Sequence, residues 1–208
     1  DFAKAKVVVS LDSDFLNEGP ARVRQSRDFA QSRDYDHNGG TMSRLYVAES
    51  TPTLVGAQAD HKVTVRYPEV ETVARAIATK LGVPNAAPAS KSVPSTWVDA
   101  VVADLKDSKG EAIVIAGHSQ PGIVHALAHA INEAVGAVAA KTVTYTESIE
   151  QNPIDQLDSL TELVGEMTKG NVKMLVMLGG NPVFTAPGDS HFSQALEKVG
   201  VRVHLTGS

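Results

Sequence analysis

The sequence predicts an α/β protein built on mainly parallel sheet flanked by helices, in two lobes. Three observations carry that prediction. Short β-rich runs recur along the chain at 6–11, 44–49, 112–117, 141–146, 172–179 and 201–206. Several are nearly continuous in Val, Ile and Leu, as strands covered on both faces are. Longer segments with helical character separate them, which is the rhythm of βαβ units with right-handed crossovers.

The elements follow in order. "KVVVSL" (6–11) opens the chain as a buried strand, and Asp12 and Asp14 fall just past it, where open parallel sheets place ligands. "PARVRQSRDFAQSR" (20–33) has Pro20 at the start of a helix whose face carries Arg22, Arg24, Arg27 and Arg33. Such a cluster grips an anion, neighbouring carboxylates such as Asp28 and Asp34, or only water. After "RLYVAE" (44–49), "YPEVETVARAIATKLG" (67–82) spaces Val70, Val73, Ala74 and Ile77 along one helical face and stops at Gly82. Three prolines and small residues then break the pattern at 83–94, which predicts a linker between a lobe over 1–85 and one over 86–208. The missing initial Met and the stop just after a strand-like run lead us to expect a piece of a larger subunit.

Composition narrows the function. A net charge of −5 and no Lys/Arg-rich run give no footprint for nucleic acid or an anionic membrane surface. The absence of cysteine removes thiolate nucleophiles and cysteine-held metal or iron–sulfur sites from these residues. No apolar run approaches the roughly 18 residues of a spanning helix, and neither the Walker phosphate loop nor the G-x-G-x-x-G fingerprint occurs.

Three stretches remain as candidate chemistry. "IVIAGHSQPG" (113–122) runs a strand into Gly117, His118 and Ser119 like a nucleophile elbow, with "HNGG" (37–40) echoing an oxyanion loop. Asp155, Asp158 or Asp189 and His191 or His204 supply the later acid and base in order, although Pro121 stands where that motif wants glycine. His125, His129 and Glu133 recur at i, i+4, i+8 on one helical face, about 200° from Ile123, Leu127 and Ile131. The catalytic Glu of a zincin helix is replaced by Ala126, so this stripe reads as an outward surface and no metal site is assigned. "LVMLGGNPVFTAP" (175–187) ends a strand on Gly179 and Gly180, where backbone can approach a ligand closely or simply turn.

Taken together, "KAKVVVSLDSDFLNEGPARVRQSRDFA" with "SRLYVAESTPTLVGAQADHKVTVRYPEVETVARAIA", "AIVIAGHSQPGIVHALAHAINEAVG" and "MLVMLGGNPVFTAP" resemble the molybdopterin-dinucleotide oxidoreductase superfamily over nearly the whole chain. The wording of "SLDSDFL", "RLYVAESTPTLVGAQADHK", "IAGHSQP", "NPIDQLDSL" and "LGGNPVFTAP" is most similar to the molybdoprotein-like half of the iron–sulfur subunit of alternative complex III. That resemblance implies a Rossmann-like fold of the formate dehydrogenase and DMSO reductase type. It implies no catalysis in this piece, no cofactor within it, and iron–sulfur clusters in a ferredoxin-like part elsewhere in the parent chain. The partners it implies are subunits of a membrane-bound, quinol-oxidising respiratory complex, on its periplasmic side.

Carried over residue by residue, the resemblance places Glu49, Gly117, Ser119, Gly179, Gly180 and Asn181 around a vestigial dinucleotide pocket, with Ala59-Asp60 as the family's Ala-Asp pair. The family's Gly-x-Asn-Pro loop is here Ser10-Leu11-Asp12-Ser13-Asp14, and its Asp-Pro-Arg is Glu49-Ser50-Thr51. Two carboxylates beside a pyrophosphate repel it by about 2–4 kcal/mol per close pair at an effective dielectric near 20, so an impaired pocket on a retained scaffold is the expectation. The alternatives are a working domain binding molybdopterin guanine dinucleotide through Gly117, Ser119, Gly180 and Asn181, and a serine hydrolase using Ser119.

Overall fold

A computed structural model describes residues 1–84, 86, 93–147 and 153–206. By their contacts they form two compact units, Asp1–Tyr145 and Thr146–Ser208.

The first unit is a four-stranded parallel sheet ordered β3-β2-β1-β4, with β1 Val7–Leu11, β2 Arg44–Glu49, β3 His61–Thr64 and β4 Ala112–Ala116. Helix α1 (Arg22–Ser32) joins β1 to β2, and the short α2 (Leu54–Ala57) joins β2 to β3. Helices α3 (Glu69–Leu81) and α4 (Ser95–Asp107) lead from β3 to β4, and α5 (Gly122–Ala134) follows β4. The alternation of β1 divides the interior into two layers. Val7, Val9 and Leu11 join Val73 and Ile77 of α3, Val101 and Leu105 of α4, and Leu127 and Ile131 of α5. Val8 points the other way, toward Phe29 of α1, where Phe2 and Phe15 stack with ring centroids 4.4 Å apart and Phe29 meets Phe15 edge-on at 5.5 Å.

Several expected elements form for the expected reasons. The stripe Val70, Val73, Ala74 and Ile77 is buried, and Gly82 ends α3 in the left-handed conformation at φ 78°. Three expectations are corrected. The stretch 83–94, of which 85 and 87–92 lie outside the described residues, does not separate two sheets. It leads from α3 to α4, which pack on each other, and β4 pairs with β1 along its whole length, so the units divide after Tyr145. The β-branched run 141–146 forms no strand. The N–H groups of Thr142 and Val143 both donate to Ala137 O, and the Thr142 hydroxyl donates to Gly110 O, so a turn takes the groups that a ladder would need. Third, Ile123 of α5 is exposed, and Val124, Leu127, Ala128 and Ile131 form its buried face.

The second unit pairs β5 (Met174–Leu178) in parallel with β6 (Val201–Leu205), with α6 (Gln156–Thr168) before β5. The short helices α7 (Pro182–Thr185) and α8 (Phe192–Leu196) lie between the strands. Its core is Met167 of α6 with Phe192, Ala195 and Val199. Met174, Val176 and Leu178 alternate outward and are exposed.

Candidate functional site

The chain lays down β1, β2 and β3 in one direction, then crosses back to place β4 on the far side of β1. The carboxyl edge between β1 and β4 is therefore the topological switch point, where open α/β sheets hold ligands. Three of the expected residues, Glu49, Gly117 and Ser119, lie along this edge, together with Asp12 and Asp14.

Asp12 follows β1 directly and adopts φ 58°, a left-handed conformation that aspartate tolerates better than most residues. Its N–H donates to Ala48 O at 2.7 Å, and its carboxylate gathers the neighbouring loops. The Ser50 N–H donates to Oδ1 at 2.8 Å, and the Ser50 hydroxyl lies 3.2 and 3.1 Å from Oδ1 and Oδ2. From the other side of the switch point, Gln120 Nε2 donates to Oδ2 at 2.8 Å. One carboxylate thus ties the ends of β2 and β4 across the end of β1. Gln120 is only 4% exposed, and its Oε1 has no hydrogen-bond partner among the described residues.

Gly117 is held in the same knot. Its N–H donates to Leu11 O at 2.9 Å, and a Cβ built on it would lie 1.9 Å from Asp12 O. The space beside Gly117 is filled by the chain's own backbone. Ser119 is exposed, its carbonyl accepts from the Tyr67 hydroxyl, and Pro121 precedes the first residue of α5. His118 pairs with Glu18 at 2.9 Å. "HNGG" (37–40) lies in the loop entering β2, at the amino edge of the sheet and so at the opposite end from Ser119.

Glu49, 2% exposed, turns inward. Its Oε2 accepts from the Thr53 hydroxyl at 2.7 Å and the Thr53 N–H at 3.2 Å, and Oε1 lies 3.3 Å from Lys62 Nζ. Thr53 in turn caps α2 by accepting from Gly56 N–H at 2.9 Å, and a Cβ on Gly56 would meet Glu49 Oε2 at 2.1 Å. Asp14 is also buried, accepting from Val55 N–H at 3.2 Å. Both carboxylates are occupied in fixing the segment after β2.

Asp60 sits at the entry to β3, away from this edge. Arg33 Nη1 and Nη2 donate to its two oxygens at 2.7 and 2.8 Å, and Leu45 N–H adds a third bond. The bonded Arg33 guanidinium, followed by the Leu45 N–H, holds the Asp60 carboxyl below the ordinary carboxylate range against the opposing effect of burial. Arg24 and Arg27 both pair with Asp28, one carboxylate shared by two guanidinium groups.

The open space at this edge is a cleft of about 660 Å³ between the 13–21 loop and the side chains of His118 and His125, and Asp12, Ser50 and Gln120 do not line it. On α5, His129 Nδ1 lies 3.1 Å from the Tyr145 hydroxyl, His125 is half-buried and Glu133 exposed. No group of three His, Cys, Asp or Glu side chains placed to hold a metal occurs among the described residues.

In the second unit, Gly179 and Gly180 turn the chain after β5 with φ 68° and 54°. Gly179 N–H donates to Leu205 O at 2.9 Å, extending the ladder, and His204 Nε2 donates to Gly180 O at 2.7 Å. Asn181 stands at the N-cap position just before α7, but its side chain makes no cap bond and is exposed. A Cβ on either glycine would meet nothing within 4 Å.

Asp12 and Gln120 bridge the crevice at this carboxyl edge, and Gly117 presses on the Asp12 carbonyl. No protein-family model matches the chain, and no curated protein matches it.

Proposed function

We propose that the chain is a cofactor-free, molybdopterin-oxidoreductase-like structural domain of an electron-transfer subunit, within a membrane-bound respiratory complex that oxidises quinol. The observation that carries this reading is the Asp12 tie. The carboxylate at the switch point is spent on Ser50 and Gln120, and it joins three strand ends where open α/β sheets leave room for a ligand. A scaffold gains rigidity from such a tie, whereas a dinucleotide site loses its entrance. The chain has no cysteine, so in this reading the clusters belong to another part of the parent.

The serine hydrolase reading is weakened by the placement of Ser119 and residues 37–40 at opposite ends of the sheet. The pterin-binding alternative is favoured only by the open turn at 179–182. The experiment is to purify the intact parent assembly, denature it in acid, oxidise the extract and measure pterin and iron per chain. Iron with near-zero pterin is expected. One or two pterins per chain would replace this reading with a working cofactor domain.

A further inference from the structure

The loop that leads from α1 to β2 carries "DYDHNGG" (34–40), and every residue of that stretch is exposed. Asn38 is the chain's one asparagine followed by glycine. Its N–H donates to Asp34 O at 3.0 Å and its carboxamide Nδ2 to Gln31 O at 2.7 Å, which holds the side chain against the last turn of α1. Gly40 N–H closes the turn on Tyr35 O at 3.0 Å. Between these two, the Gly39 N–H has no hydrogen-bond partner among the described residues. Gly39 has φ 65°, and a Cβ built on it would meet nothing within 4 Å. Its nitrogen is therefore neither engaged nor screened by a side chain.

We propose that Asn38 is a site of spontaneous covalent modification, at which the Gly39 nitrogen converts the asparagine to aspartate and isoaspartate through a cyclic imide. The Gly39 nitrogen gives up its proton and bonds to Asn38 Cγ. The Cγ–Nδ2 bond breaks, and Nδ2 leaves as ammonia with that proton. Solvent water then opens the imide. Addition at Cγ restores the main chain beside an aspartate, whereas addition at the Asn38 main-chain carbonyl leaves the chain running through Cβ and Cγ as isoaspartate. Asn17 supplies the contrast. It is also exposed, but the next residue is Glu18, which has a side chain and whose N–H donates to Asp14 O at 2.8 Å. Either product at Asn38 removes the donor to Gln31 O and adds a carboxylate to a loop that already holds Asp34 and Asp36. Isoaspartate also lengthens the backbone inside the turn that Gly40 closes on Tyr35. The modified loop is released from the end of α1. The inference does not depend on the respiratory reading.

The test incubates the full chain at neutral pH, digests samples with trypsin at intervals and weighs the peptides, with a sample taken at the start as the control for change during digestion. Residues 34–44 form a peptide whose only side-chain amide is Asn38, and residues 7–22 one whose only side-chain amide is Asn17. Replacement of NH2 by OH should accumulate in the 34–44 peptide severalfold or more faster than in the 7–22 peptide, with isoaspartate among the products. Equal rates would overturn the proposal, because the bond to Gln31 O would then keep the carboxamide out of reach. Aspartate without isoaspartate would mean direct hydrolysis by water and would overturn it as well. Gly39→Ala places a methyl beside the nitrogen in an exposed loop and should slow the change severalfold, and an unchanged rate contradicts attack by Gly39. If Gly39→Ala fails to fold, the wild-type rates and the isoaspartate yield decide.

Discussion

The turn after β4 and the turn after β5 both end a parallel strand on glycine, yet they need it for different reasons. Gly117 is required by its neighbour, because the Asp12 carbonyl occupies the place of any side chain. Gly179 and Gly180 have open space around them and are required only by backbone conformation, at φ 68° and 54°. The first is part of a tied knot, the second a turn held by Leu205 and His204. A glycine at the end of a strand therefore points to a ligand only where the approach it permits is not already taken by the protein.

That contrast predicts unequal costs. Gly117→Ala should destabilise the protein most, by about 3 kcal/mol or more, because the clash is with buried backbone at the carboxyl ends of β1 and β4. A urea midpoint within about 0.5 kcal/mol of wild type would mean that the knot is loose. Asp12→Ala comes next. It leaves the half-buried Ser50 N–H and the buried Gln120 Nε2 without their acceptor, for a loss of about 1–3 kcal/mol in the same measurement.

Asp60→Asn should have a smaller effect of about 1 kcal/mol at neutral pH, and it should reshape the acid limb. The folded Asp60 carboxyl titrates below its ordinary range, chiefly through Arg33. Its contribution is therefore complete above the ordinary carboxylate range and is lost as pH falls through the lowered folded value. Wild-type stability should drop more steeply than that of Asp60→Asn between about pH 4 and pH 2, and parallel curves would show that the pair contributes nothing. Gly180→Ala should cost least, about 1 kcal/mol for a left-handed alanine. A loss as large as that of Gly117→Ala would erase the distinction between the two turns.

Much of the fold was legible because burial on both faces writes itself as unbroken Val and Ile, as in "VVVSL" and "AIVIA". β3 was missed because "HKVT" is an exposed edge strand with little apolar signal. The run 141–146 was misread because β-branched composition does not reveal that its N–H groups serve a turn. At the candidate site, the sequence placed Asp12 and Glu49 at the carboxyl edge but could not show where their carboxylates point. Asp12 reaches Gln120 across 108 positions, and Glu49 is turned onto Thr53 with a space that only Gly56 leaves open. Gln120 belongs to no pattern that periodicity or motif spacing could find, and its role arises from strand order.

The most direct test of the closed switch point is amide hydrogen exchange at Ser50, whose N–H points at Asp12 from a loop rather than a ladder. If the tie persists in solution, Ser50 should exchange about as slowly as the β1 amides in wild type, and about tenfold or more faster in Asp12→Ala. Exchange of the wild-type Ser50 amide at the rate of an unprotected loop would show an open crevice and contradict the account.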